Sequence, residues 1–520
     1  MTGGPAHAGA TNKNLVLAAM VFAVAMTFID QTIVAIAIPD LQKELSLSAT
    51  GSQWIVNGYL LSLSALFAFG GKLADVIGRR RVVVIGVVGF AVASALCGAT
   101  PKGTLAEAWI IVFRVVQGGF AALMFPAAVG IVVASFPLRE RGKAMAIFFG
   151  ISGGLTAIGP IAGGFLTQWT WRSIFWINLP VALVALALIW RSQPDDTKRP
   201  TKLDYRGTVL VTAAMALVVL GLQQSAVWGW SSAATWLCLA AGLALTAAFV
   251  AFELRIPSPL LRLQIFRDRG FATETLVLGL MSVVFIPFFF FASVYAQVSL
   301  GQSASRAGVY LLYFFLGFVI LAQVGGRILD ARGAKPAVVG GCVISAVGFY
   351  LLAGELTDLS LHAQWYYVML AGGGVGLMLG TASTDAVNRA PSSSYSEVTG
   401  ITQTARNFGA SLGLAVLGAI LVSENQTNVT NALTKNGVPA SVAHDVAHTL
   451  GSGSAHGGAG QPRALVDGVQ LAVAHSTQTV FYVMAGVMAA TFVIALIRLP
   501  PGRVETHEEI AAPAAGEAGA

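Results

Sequence analysis

Three observations predict an all-α polytopic membrane protein of fourteen spans, arranged as two six-helix bundles with two extra central helices. The 520 residues are 56% hydrophobic and only 11% charged, against roughly 25% charged in an ordinary soluble domain. Apolar runs of about 20 residues, enough to cross a ~30 Å hydrocarbon layer as helix, recur from Leu15 almost to the C-terminus. Two short polar segments far apart in the chain also echo each other closely, which suggests parallel halves.

In chain order the spans are placed at 15–38, 52–74, 82–99, 106–135, 142–168, 173–190, 206–224, 233–252, 271–298, 306–328, 335–353, 363–388, 397–423 and 478–498. The first run is a poor signal peptide: it is long, and Pro39, Asp40 and further spans follow it rather than a cleavage site. With the N-terminus inside, 23 of the 31 Lys and Arg fall on the inner side, 6 outside, and Arg114 and Arg406 within spans. That bias sets the orientation and puts both termini in the cytoplasm. The net charge of +7 is thereby accounted for as topology, and nucleic acid is not expected as a partner.

The echo joins "GGKLADVIGRRRV" (70–82), between the second and third spans, to "GGRILDARGAKPA" (325–337), between the tenth and eleventh. Each has paired glycines, an acid four residues after the second glycine, a further glycine and basic residues. The expected organisation is therefore 1–190 as the N-terminal bundle, 191–255 as two inserted helices, 256–500 as the C-terminal bundle with an outer loop at 424–477, and 501–520 as a disordered, low-complexity tail. The outer loop carries "GSGSAHGGAG", His444, His448, His456 and His475. Without cysteines or a carboxylate cluster these histidines read as solvated loop rather than metal ligands. Residues 462–484 have helical periodicity leading into the last span, and the sequons at Asn425 and Asn428 matter only in a glycosylating secretory pathway. Cys97, Cys238 and Cys342 all lie in apolar runs and read as small core residues.

Several motifs in consistent order resemble the major facilitator superfamily, and within it the fourteen-span drug:proton antiporters. In the first inner loop Gly71, Asp75, Gly78, Arg79 and Arg80 match the superfamily's glycine, acid, glycine and basic-pair pattern. The resemblance implies a latch that holds the inner side shut, with Asp330 as a weaker counterpart; Val76 stands where many relatives are basic. Arg114, Gln117 and Gly118 in the fourth span are similar to the family's arginine–glutamine–glycine motif. An intramembrane arginine costs about 2.5 kcal/mol or more on insertion scales, and snorkelling to the surface is the competing account. Gly150, Gly159, Pro160, Gly163 and Gly164 match the motif associated with antiporters. Their small size permits close helix packing.

"WTWRSIFWINLP" (169–180) resembles the signature after the fifth span in these exporters, with Ser173 in place of an aromatic. An interfacial aromatic belt with a basic anchor is the simpler reading, and both can hold. "TGITQTARNFGASLGLAVLG" also resembles these exporters, and Asp385 is a possible partner for its Arg406. The first span matches the aspartate motif through Asp30, Thr32, Ile33, Val34, Ala37 and Pro39, with Ala35 where asparagine is common.

No GxxxxGK[ST] loop occurs and the soluble segments are too short for a nucleotide-binding domain, so neither a cofactor nor ATP-driven pumping is expected. "GGGVGLMLG" (372–380) reads as a packing face, and no catalytic constellation is recognised. The preferred reading is proton-coupled export of hydrophobic or cationic small molecules by a monomer in the cell membrane. Its rivals are a dedicated exporter of one natural product, a nutrient importer, and a nontransporting sensor or scaffold. Gln117, Phe288, Phe291 and Tyr295 are candidates for the substrate pocket, with lipid-facing filler as the alternative for the phenylalanines. Four consecutive Phe residues, 288–291, cover every side of a helix, so they cannot all face a ligand.

Asp30 lies ~22 Å along its helix from Leu15, at a depth comparable with Arg114 on a helix running the other way. Dehydration favours a neutral acid and a nearby arginine favours a charged one. The pair is thus expected to load and release a proton, with a structural polar contact as the alternative.

Overall fold

The computed structural model describes residues 12–137, 140, 144–145, 147–148, 151, 155–156, 158–194, 203–257, 259–389, 395–435, 438–439, 443 and 463–502. Among these, the regular elements are all helical, and thirteen helices are long and apolar enough to cross a membrane. The expected fifth span, 142–168, is described only in part, and with it fourteen spans are consistent with the chain. Gly150 of the antiporter motif, His444, His448, His456 and the 501–520 tail beyond residue 502 lie outside the described residues.

Local chemistry explains the helix starts. The first helix, α1 (Lys13–Leu45), is capped by Asn12, whose side chain accepts from the Asn14 and Leu15 amides, and α2 (Ala49–Ile77) by Ser48, which accepts from Gly51. Pro39 does not end α1 where the sequence places its boundary. The helix runs on to Leu45 with Pro39 inside it, as neighbouring helices in a membrane bundle permit. Then follow α3 (Arg79–Gly98), α4 (Ala106–Ser135), α5 (Ile158–Leu166), α6 (Ser173–Trp176), α7 (Asn178–Ser192), α8 (Tyr205–Trp228) and α9 (Ala233–Glu253). The remainder is α10 (Arg269–Val298), α11 (Ala304–Arg332), α12 (Ala334–Glu355), α13 (Leu361–Asn388), α14 (Tyr395–Lys435) and α15 (Arg463–Arg498).

The two echoing segments turn the chain in the same way. A single glycine separates α2 from α3 and α11 from α12: Gly78 at φ 110° and Gly333 at φ 84°. Both values lie in the region that glycine tolerates and other residues avoid.

Helices α1 to α7 pack among themselves, as do α10 to α15, while α8 and α9 form a hairpin whose α8 rests on α2 and α14. The two groups meet through α2 with α14, α5 with α11, and α1 with α10. Gly372, Gly374 and Gly376 bring α13 against the backbones of Phe314, Ser345 and Phe318, where any Cβ would collide. The glycine run is thus a packing face.

The segment 424–477, expected as a loop, is helical at its start, where α14 continues to Lys435; α15 begins at Arg463, in agreement with the helical periodicity read over 462–484. Asn425 is buried in α14, and the Asn428 amide donates to Ser476 Oγ at 3.0 Å, so both sequons sit on a packed helix. Along 424–435 one helix face is buried, through Asn425, Val429 and Leu433, and most other positions are polar, a pattern that reads as loop by composition alone. Arg172 donates to the Gly98 and Thr100 carbonyls, each at 2.8 Å, and its neighbour Trp171 donates to Glu44 at 2.9 Å. The signature following the fifth span therefore closes the C-terminus of α3 and ties it to α1. The cysteines are free thiols, with Cys97 and Cys342 buried.

Candidate functional site

Asp30 on α1 and Arg114 and Gln117 on α4 form a closed triangle in the interior of the first helix group. Arg114 Nη1 donates to Asp30 Oδ2 at 2.5 Å and to Gln117 Oε1 at 2.7 Å, and Gln117 Nε2 donates to Asp30 Oδ1 at 3.0 Å. Relative exposures are 0% for Asp30, 1% for Arg114 and 0% for Gln117. Arg114 does not snorkel. Its Nε donates to the Ile55 carbonyl at 2.8 Å, and its guanidinium carbon sits 4.3 Å from the centre of the Tyr59 ring.

The spacing of the arginine motif explains this arrangement. Positions 114 and 117 are one turn apart on α4 and so share a face. Gly118 turns toward α2, where a Cβ would collide with Ser62 Oγ and the Tyr59 carbonyl. That close approach carries Ile55 and Tyr59 to the guanidinium. An unpaired buried charge costs several kcal/mol; here each charged group has a partner, and each Asp30 oxygen accepts a hydrogen bond.

Beside the triangle lies a small cavity of about 10 Å³ between α1, α2, α4 and α14, lined by Thr27, Phe28, Gln31, Leu63, Phe67, Phe125, Gln403, Arg406 and Asn407. A space of that size holds about one water, whereas drug-sized ligands need at least ~300 Å³. Its polar side is Thr27, Gln31 and the three α14 residues; its other side is aromatic. Thr27 and Gln31 flank Asp30 on α1, so the acid and the cavity share one stretch of helix.

The pocket residues expected from sequence fall elsewhere. Gln117 is engaged with Asp30 and Arg114. Phe288 and Phe291 are buried, not lipid-facing, and Phe288 stacks on Phe314 with ring centres 4.5 Å apart. The Tyr295 hydroxyl donates to the Leu356 carbonyl and accepts from Gln364, each at 2.7 Å. None of the four lines the cavity. The expected Asp385–Arg406 pair is also absent: Asp385 accepts from Arg389 Nε at 2.7 Å, while Arg406 Nη1 donates to Gln403 at 2.7 Å. Asp385 and Arg389 are one helical turn apart, a shorter route than any across to α14.

At the turn between α2 and α3, Arg79 Nη2 donates to Asp75 at 2.9 Å and Arg79 Nη1 to the Gly130 carbonyl of α4, also at 2.9 Å. Arg80 Nη1 donates to Gln193, and Lys72 to the Pro259 carbonyl. Gly71 faces Pro126. Asp330 at the second turn is exposed and takes part in no ion pair among the described residues. The described antiporter-motif residues bridge the two groups. Gly159 meets Thr32 and Ile29, Gly163 meets Ile33, Gly164 meets Ala304 and Ser305 of α11, and the Pro160 carbonyl faces Gly308.

Sequence reasoning missed Thr27, Gln31, Gln403 and Asn407 as cavity residues, and Glu274 as a buried acid. For Gln31 and Glu274 a signal existed: a lone amide and a lone acid inside apolar runs.

A profile of the Major Facilitator Superfamily matches residues 20–414. The chain is 37% identical over 412 residues to a tetracenomycin C resistance and export protein of Streptomyces glaucescens, covering 78% of this chain and 76% of that protein. It is 33% identical over 408 residues to a puromycin resistance protein of Streptomyces alboniger, with 76% and 79% covered. With the multidrug resistance protein Stp of Mycobacterium tuberculosis, strain H37Rv, it shares 30% over 405 residues, covering 76% and 74%. In three dimensions it resembles an inward-facing bacterial homologue of the human lysosomal transporter Spinster, with a TM-score of 0.61 at 18% identity over 94% of this chain and 98% of the other. A D-xylose–proton symporter superimposes with a TM-score of 0.57 at 13% identity, covering 84% and 96%.

Proposed function

Because the chain belongs to the major facilitator superfamily, we propose that it is an antiporter that exports hydrophobic or cationic small molecules, antibiotics among them, in exchange for protons. The observation that carries the reading is the buried Asp30–Arg114–Gln117 triangle beside a cavity where the two helix groups meet. The relatives named for antibiotic resistance and export supply the substrate class. An intramembrane acid facing an arginine is an expensive arrangement that usually marks a proton or substrate path.

In this reading Asp30 carries the proton and Arg114 tunes it. Separation of the two groups admits water, weakens the Asp30–Arg114 contact and exchanges the proton. Asp75, Arg79 and Arg80 hold the inner side; Gly159, Pro160, Gly163 and Gly164 hold the outer side where α5 meets α11. The cavity in its present size holds no drug, so in this reading it widens before substrate enters, and the α14 residues Gln403, Arg406 and Asn407 line the widened space. The working unit is a monomer in the cytoplasmic membrane with both termini inside, and the groups divide at 1–190 and 256–500 around the inserted 191–255. Efflux should collapse with a protonophore while cellular ATP is held constant; undiminished efflux removes proton antiport.

A dedicated exporter of one natural product is the second reading. It is favoured by the 37% identity to a protein named for a single compound. Competition among unrelated dyes and antibiotics for one transport activity separates the two.

A further inference from the structure

Glu274 lies just over one turn into α10, fully buried, and neither of its carboxyl oxygens has a hydrogen-bond donor. Several elements pack against α10, yet the charged side chains that act on Glu274 are Asp385, in the last turn of α13, and Arg389, which follows its end. Arg389 is committed to Asp385 through its Nε, at 2.7 Å, and its guanidinium lies over the first turn of α10, where a Cβ on Gly270 would meet it. The α12 side contributes the Cys342 thiol, and Arg406 of α14 is turned to Gln403. On its own element, Asp268 accepts from the Phe271 amide and caps the helix.

Charge counting decides what such a cluster can hold. With both acids ionised, two negative charges share one guanidinium, and a net negative charge is buried with Glu274 lacking any donor. With one hydrogen on the pair, the cluster is neutral. Gly270 and Glu274 are one turn apart on α10 and share the face over which the Arg389 guanidinium, bound to Asp385, lies, and two ionised carboxylates are acceptors only. Like-charged carboxyls in one site do not both ionise. A metal or organic cation in this place would face the guanidinium, so the ligand that fits is a proton.

We propose that Glu274 and Asp385 hold one proton between them, as an O–H on Glu274 donated to the Asp385 carboxylate, and that this is a proton-binding site separate from Asp30. The site gives the second helix group its own proton, taken up and released at the end of α10 that begins with Arg269. Its use in transport rests on the antiport reading; its existence does not.

Infrared spectroscopy of the purified full-length protein, titrated with acid and base, tests this directly through the carbonyl band of protonated carboxyl groups. Glu274→Gln should remove one titrating band that Asp30→Asn leaves in place. Asp385→Asn should remove the same band, because Arg389 then becomes the partner of an ionised Glu274. The two variants are independent, so one suffices if the other fails to fold. Retention of the full wild-type set of titrating bands in either folded variant overturns the shared site. Undiminished efflux under a protonophore would instead reject the antiport reading and leave this band pattern standing.

Discussion

The turn between α2 and α3 and the turn between α11 and α12 share paired glycines, an acid and a glycine at positive φ, yet among the described residues only the first is tied down. Arg79 follows Gly78 directly and reaches both Asp75 and the Gly130 carbonyl on α4. The residue in the same place after Gly333 is Ala334, and Asp330 is exposed. The buried acids of the two groups differ in the same direction: Asp30 accepts from Arg114 and Gln117, whereas Glu274 has no donor and Arg406 has a buried Nε without a partner. A repeated backbone therefore carries two electrostatic settings. In the first group the buried acid Asp30 is satisfied by Arg114 and Gln117; in the second Asp385 is satisfied by Arg389, while Glu274 and the Arg406 Nε have no hydrogen-bond partner among the described residues.

The strongest way to break this comparison is to remove one arginine from each group. Arg114→Met leaves Asp30 buried without its cation, and breaking a buried pair costs about 3–5 kcal/mol. Thermal unfolding in detergent should fall sharply, and the double change with Asp30→Asn should recover part of the loss. Arg406→Met leaves no acid stranded and should unfold close to the wild-type temperature; an equal drop in the two would erase the distinction.

Next in size is the turn between α2 and α3. Asp75→Asn should lower transport several-fold at unchanged membrane abundance, since a partly exposed i,i+4 pair contributes only about 0.5 kcal/mol to stability. Loss of protein from the membrane would make Asp75 a folding residue instead. The smallest effect belongs to Asp330→Asn, an exposed position where stability should change by about 0.5 kcal/mol or less and transport should stay near the wild-type rate. A loss matching that of Asp75→Asn would mean that the second turn is a working latch in another conformation.

Much of the fold was legible because the bilayer imposes a simple rule on composition: each crossing needs an apolar run, and basic residues mark the inner side. The limits of that rule explain the misses. Pro39 marks a boundary in water but sits inside α1, as packing among neighbouring helices permits. Asn425 and Asn428 look like loop because polarity was weighed without the face it covers on α14. Asp30 and Arg114 were paired by depth alone, and helix direction made that estimate possible. The cavity could not be read in advance, since Gln403 and Asn407 belong to a helix remote in sequence, and only the contact between α2 and α14 brings them to Thr27 and Gln31. Phe288 and Phe291 pack against other rings, since aromatic rings that suit a ligand equally suit one another.

The account stands on Asp30 as the group that couples export to the proton gradient. Asp30→Asn keeps the shape of the side chain and can still hydrogen-bond to Arg114 and Gln117, but it carries no exchangeable proton. The direct measurement takes purified Asp30→Asn protein in liposomes and follows, on one preparation, substrate binding and substrate movement driven by an imposed pH gradient. The account predicts binding within a few-fold of wild type and no gradient-driven movement. Wild-type coupling in that variant would contradict it.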